Sequence, residues 1–111
     1  MSKNVQISPY RSSGAKIFTG RDNGINARKA LDLNSLDNDD DDINILIPND
    51  TWGINPSFFG GLFEGSIKKL GNGFNGKYVF KYTNGDELSD SMKREISENI
   101  DYVIRNIKVN K

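Results

Sequence analysis

Gly71-Asn72-Gly73-Phe74-Asn75-Gly76-Lys77 carries two spacings associated with phosphate cradles, G-x-G-x-x-G and G-x-x-x-x-G-K. Such a loop works by aiming the amides of a helix N-terminus at the anion, so it needs a strand before it and a helix after it. The pattern around this segment predicts the reverse order, and Tyr78 stands where a magnesium-binding Ser or Thr would follow the lysine. The segment is therefore expected to be a helix-to-strand turn. A second candidate is Asp37-Asn38-Asp39-Asp40-Asp41-Asp42, with five carboxylates in six residues. A calcium loop of the EF-hand kind wants Gly at its sixth position and Glu at its twelfth. Counting from Asp37, those places hold Asp42 and Pro48. The run is expected to be a solvated acidic loop over 37–42 that holds no metal, because like charges this dense repel one another and stay in water.

Nucleophilic and metal chemistry have few tools here. The chain has no cysteine and no histidine, which removes thiolates, imidazole bases and the usual zinc ligands. Asp50 and Asp86 could act as acid or base, but nothing in the sequence pairs either with a second group. The expectation is a protein that is not an enzyme and needs no cofactor. The residues left for function are contact residues. Trp52, the only tryptophan, follows a predicted strand, where α/β sheets place binding sites; a lid over the core is the competing expectation. Ser57 sits in the first turn of a predicted helix, a place that tolerates a phosphoryl group. Arg21, Arg28 and Lys29 cluster near another helix start and could receive a phosphate or an acidic partner.

The frame that must position these residues is small. A chain of 111 residues fits one domain, 1–111, and should bury roughly two-thirds of its unfolded surface. Fifteen basic residues balance fifteen acidic ones, which argues against direct nucleic-acid binding, where excess positive charge displaces counterions. The polar start Met1-Ser2-Lys3-Asn4-Val5 has no apolar signal region, and no apolar run approaches a membrane span. A cytoplasmic protein with no membrane association is expected.

Along the chain, Val5 and Ile7 alternate like a strand, with Ala15-Lys16-Ile17-Phe18 as its expected antiparallel partner across a Ser12-Ser13-Gly14 turn. Residues 1–14 are expected to be partly flexible. A first helix is expected after an Asp22 or Asn23 cap, ending near Asn34-Ser35. Ile43-Asn44-Ile45-Leu46-Ile47, stopped by Pro48, reads as a buried central strand. Asn55 as cap and Pro56 at the first position open a second helix with an apolar face of Phe58, Phe59, Leu62, Phe63, Ile67 and Leu70. Gly60, Gly61 and Gly65 inside it point to a closely approaching backbone or ligand, and Gly71 closes it. Lys77–Tyr82 is a strand, Asn84-Gly85 a turn, and a last helix is expected from near Asp86. Its core stripe is Leu88, Met92, Ile96, Ile100, Val103, Ile104 and Ile107, with Lys93, Arg94, Glu95 and Glu98 facing water. The order β(β)–α–β–α–β–α predicts an α/β fold, a small mixed sheet with helices packed on it.

Ile54-Asn55-Pro56-Ser57-Phe58-Phe59-Gly60-Gly61-Leu62-Phe63 directly after an Ile-rich strand resembles the STAS superfamily of anti-sigma-factor antagonists and sulfate transporters, and more closely the bacterial STAS-like domains of uncharacterised function. Gly20-Arg21-Asp22-Asn23-Gly24-Ile25-Asn26-Ala27-Arg28 looks like their first block, and the likeness spans about residues 15–107. In antagonist-type domains this helix begins Asp-Ser-Ser-Gly, and the second Ser is phosphorylated. Ser57 matches that acceptor, whereas Asn55, Pro56 and Phe58 depart from the pattern. The resemblance implies a non-catalytic, switchable binding module that docks a partner through residues 52–63, with a histidine-kinase-type ATPase as the implied partner. Trp52, Asn55, Ser57, Phe58, Arg21 and Arg28 are then the expected binding residues, with Ser57 a phosphorylation site. The alternative is a small inhibitor from a phage or mobile element, acting through the acidic surface.

Overall fold

The computed structural model describes residues 2–11, 14 and 16–109. In chain order the elements are β1 (Ser2–Gln6), a 3-10 turn (Ser8–Tyr10), β2 (Ile17–Phe18), α1 (Arg21–Leu31), α2 (Leu33–Asn38), β3 (Asp42–Ile47) and β4 (Gly53–Ile54). These are followed by α3 (Pro56–Leu70), a 3-10 turn (Gly71–Gly73), α4 (Phe74–Lys77), β5 (Tyr78–Tyr82) and α5 (Asp90–Val109). The fold is α/β, with helices packed on small parallel sheets.

The Ile-rich run forms the central strand, as expected. β3 lies between β1 and β5, and both pairings are parallel, with Ile45 opposite Val5 on one side and Phe80 on the other. Ile43, Ile45 and Ile47 point to the helices and are fully buried. The opposite face is polar: Asn44 donates to Asn4 across the strands at 3.0 Å. The sheet thus has one face for the core and one for water.

The expected hairpin between β1 and β2 does not form. β1 crosses over to pair with β3, and β2 pairs in parallel with β4 as a separate two-stranded ladder. The reason is burial. Pairing with β3 lets Val5 and Ile7 join the core, which a local hairpin on the surface would leave wet. Ser12, Ser13 and Ala15, part of the expected turn and strand, lie outside the described residues. The sheets are parallel rather than mixed, and the antiparallel contact is a lone bridge between Lys81 and Glu87.

Helix ends shift for identifiable reasons. α1 starts at Arg21 after Gly20, because the Asn23 amide donates back to the Thr19 carbonyl at 2.9 Å instead of serving as a cap acceptor. It breaks at Asp32, which has φ +53°, and resumes as α2 to Asn38. α5 starts at Asp90 rather than near Asp86, since Asn84 and Asp86 are engaged in the preceding turn and the Ser89 hydroxyl accepts the Met92 amide at 3.2 Å.

The glycines of α3 do mark a close approach. A Cβ on Gly24 would lie 2.2 Å from the Phe58 carbonyl oxygen, and one on Gly61 would lie 2.3 Å from that of Arg21. α1 and α3 therefore meet backbone to backbone, which only glycine at both crossing points permits. Beneath them Phe59, Phe63, Phe74, Tyr78 and Phe80 form an aromatic cluster with centroids 5.0–6.4 Å apart.

Candidate functional site

The site is built on β4. After β3 the chain turns at Pro48, whose carbonyl accepts the Thr51 amide at 3.1 Å. The Trp52 amide then donates to the Lys16 carbonyl at 2.7 Å, and the Asn55 amide to the Phe18 carbonyl at 2.8 Å. Those bonds fix one edge of the segment. Among the described residues no third strand pairs with the other edge. Two side chains of α5 take its place: the Glu95 carboxylate accepts the Ile54 N–H, and the Asn99 amide donates to the Ile54 carbonyl at 2.9 Å. Gly53 makes room, since a Cβ there would lie 2.7 Å from Glu95 Oε2. The edge is thereby satisfied without an exposed ladder.

On this pinned backbone the Trp52 side chain points outward, 74% exposed. It is not a lid on the core. Lys16 Nζ stands 5.5 Å from the ring centroid. Ile17, 40% exposed, and Tyr102, 41% exposed, flank the same region. Together with Val79 on the polar sheet face, these are the large apolar residues left exposed among the described residues. A groove of about 480 Å³ runs between β4 and α5, with Ile17, Trp52, Ile54, Pro56 and Tyr102 as apolar walls and Glu95, Glu98, Asn99 and Arg105 along α5. A second hollow of about 430 Å³, lined by Gly14, Lys16, Ile17, Thr19 and Trp52, adjoins it. The indole borders both.

The expected binding residues separate into three groups. Trp52 and Asn55 line the groove. Asn55 also caps α3, its Oδ1 accepting the Ser57 amide at 2.8 Å, so one side chain serves helix and site. Ser57 is exposed in the first turn of α3, and its hydroxyl makes no hydrogen bond among the described residues. Arg21 is half exposed and paired with Glu64 at 3.3 Å. Phe58 and Arg28 do not belong to a contact surface. Phe58 is fully buried with its ring 5.1 Å from Phe18, because it falls on the core side of α3.

Arg28 is drawn inward by Asp37. Its guanidinium donates to Asp37 and Asn34 at 2.8 Å, to Ser66 at 2.8 Å and to the Leu62 carbonyl at 2.9 Å. Asp37 also accepts from Ser66 at 2.7 Å and from the Tyr78 hydroxyl. Burial, reinforced by that carboxylate, pushes the Tyr78 phenol above its ordinary range and keeps it a donor. The acidic run is therefore not a solvated loop throughout. Asp37 is buried in α2, Asp39 is clamped by Lys3 at 2.8 Å and Lys77 at 3.1 Å, and Lys3 also reaches Asp41 at 3.4 Å. The hydrogen bonds from the two lysines hold the Asp39 carboxyl down at about 2. Asp40 and Asp42 face water.

The remaining acid candidates are engaged locally. Asp50 accepts two bonds from Arg11, at 2.7 and 3.3 Å, and Asp86 takes the Asn84 amide at 3.0 Å. Gly71–Lys77 has α3 before it and β5 after it, and the Lys77 ammonium donates to the carbonyls of Asp39 and Asp41 at 2.7 and 2.6 Å. Among the described residues no cluster of three or more Asp and Glu could hold a metal ion, and no helix is long and apolar enough to cross a membrane. Tyr102, Glu98 and Arg105 were missed by the sequence reading. Their signal was a second stripe on α5 at spacings of three and four, offset from the core stripe and carrying one aromatic. Comparison with protein-family models, curated proteins and solved structures gives no match.

Proposed function

We propose that this chain is a non-catalytic regulatory module that binds a protein partner through the groove between β4 and α5. The observation that supports it is Trp52: its amide is held by the Lys16 carbonyl and the β4 strand that follows is bonded on both edges, while its indole is left in water beside Ile17 and Tyr102. Exposed aromatics on a rigid support are the residues that dominate protein interfaces, because little entropy is lost on docking. The STAS-like resemblance of residues 15–107 supplies the partner class, a histidine-kinase-type ATPase, and Ser57 as the position that partner phosphorylates. A phosphoryl group there would sit at the positive end of α3, beside the groove. The docking face is Ile17, Trp52, Asn55 and Tyr102; Phe58 packs on Phe18 beneath β2, and Arg28 belongs to the Asp37 network instead. The acidic-surface reading has less to work with, since Asp37, Asp39 and Asp41 are engaged by basic groups inside the molecule.

The test is affinity capture from native extract with four baits: the wild-type chain, Trp52→Ala, Tyr102→Ala and Val79→Ser as a control on the sheet face. An ATPase retained by wild type and Val79→Ser, and lost from the other two, is the expected outcome. Capture that is indifferent to Trp52 and Tyr102 sinks the assigned face. A nucleic-acid-handling prey released by salt would turn the function toward inhibition.

A further inference from the structure

We infer that the groove accepts a short extended peptide segment in one polarity, with a basic side chain over Glu98, a large apolar side chain against Trp52 and Tyr102, and an acidic side chain over Arg105. This rests on the reading of the groove as a protein-docking face and specifies what lies in it.

Three observations carry the inference. First, Glu98 and Arg105 both line the groove, both are exposed, and neither makes an ion pair or hydrogen bond among the described residues. That sets them apart from the nearby Glu95 and Asn99, which are occupied by the backbone of Ile54. Second, they are seven residues apart on α5, which places them on the same helix face about 10 Å from each other at 1.5 Å rise per residue. Tyr102 lies between them on that face. The groove therefore has a negative end, an apolar middle and a positive end. Third, an extended chain puts every second side chain on one face, so side chains at positions i, i+2 and i+4 span about 13 Å and set a basic, an apolar and an acidic group in line with Glu98, Tyr102 and Arg105, whose flexible ends take up the difference. Opposite charges at the two ends of a site set orientation and partner choice more than affinity. Lys16, over the Trp52 ring, lines the adjoining hollow and not the groove.

The experiment is selection of a random peptide library, displayed on phage, against the immobilised full chain. Enriched peptides are expected to hold a Lys or Arg and an Asp or Glu four positions apart, with an aromatic or long aliphatic residue midway, in one order. The double variant E98K/R105E is expected to enrich the opposite order. With the best wild-type peptide made synthetically, Glu98→Lys alone should weaken binding about fivefold, in the range of an exposed pair. Peptides without paired charges, or a set unchanged by the double reversal, overturn the polarity while the groove stands, provided Trp52→Ala abolishes selection. If Trp52→Ala selects the same peptides as wild type, the docking face itself is wrong. No enrichment on the wild-type chain also overturns the proposal.

Discussion

Arg28 and Arg105 are both arginines on helices that pack on α3, and they have opposite fates. Arg28 runs into a closed network: the Arg28 side chain is 15% exposed, that of Asp37 1%, and the two terminal guanidinium nitrogens donate to Asn34 and Asp37 on α2 and to Leu62 and Ser66 on α3. Arg105 stands at the rim of a groove with no ion-pair or hydrogen-bond partner among the described residues. The two regions use the same residue types and differ in what faces them. A charge whose bonds are completed inside the molecule ties elements together. A charge left uncompleted beside exposed apolar surface is available to another molecule. Residue type alone does not separate these cases, which is why Arg28 looked like a contact residue and Arg105 drew no attention.

The sharpest way to break the comparison is to remove Asp37. Asp37→Ala leaves Arg28 and the Tyr78 hydroxyl facing an empty buried space, and it should destabilise the fold by about 3–5 kcal/mol, the cost of breaking one side of a buried pair. Urea unfolding of the variant measures it. Adding Tyr78→Phe should return part of the loss, because a donor without an acceptor is then gone as well. If Asp37→Ala unfolds at the wild-type midpoint, the network contributes nothing and the contrast with the groove is lost.

Asn55→Ala probes the one residue that belongs to both regions in kind, as a structural cap and a lining side chain. Loss of the bond to the Ser57 amide should cost about 1 kcal/mol. Asn55→Ser should recover most of that stability, since a hydroxyl accepts the same amide. If partner binding falls in both variants while stability recovers in Ser, the side chain acts in the groove beyond its capping role.

How far these features could be read from the sequence depends on the range of the interaction behind them. β3 and α3 were legible because their causes are local: an apolar run stopped by Pro48, and Asn55-Pro56 opening a helix that Gly71, at φ +54°, closes. The pairing of β1 with β3 was not, since it joins residues forty apart and competes with a nearer hairpin partner that looks equally good. The inward turn of Asp37 was hidden for another reason. Five acids within six residues look alike in sequence, and only the break at Asp32 and the phase of α2 decide which of them meets Arg28. Trp52 was half legible: its place after the strand was clear, but its direction depends on bonds to Lys16, Phe18, Glu95 and Asn99 from two distant elements.

Trp52→Ala carries the smallest stability effect and sharpens the contrast most. A side chain this exposed gives up little apolar burial when it is removed, so the unfolding midpoint should move by less than about 0.5 kcal/mol in equivalent free energy. Loss of the cation–π contact with Lys16 adds about 0.5 kcal/mol, the low end for an exposed pair, which keeps the total under about 1 kcal/mol. A large tryptophan that can be deleted at almost no cost to folding is not held outward by the needs of the fold, because burying it would have been favourable by itself. Its position is then explained by what it contacts in another molecule. Urea midpoints for wild type and Trp52→Ala that differ by less than about 1 kcal/mol in equivalent free energy, together with loss of the captured partner, would separate binding from stability at this residue. A drop of 2 kcal/mol or more, on the scale of a buried aromatic, would instead make Trp52 part of the structural half of the molecule.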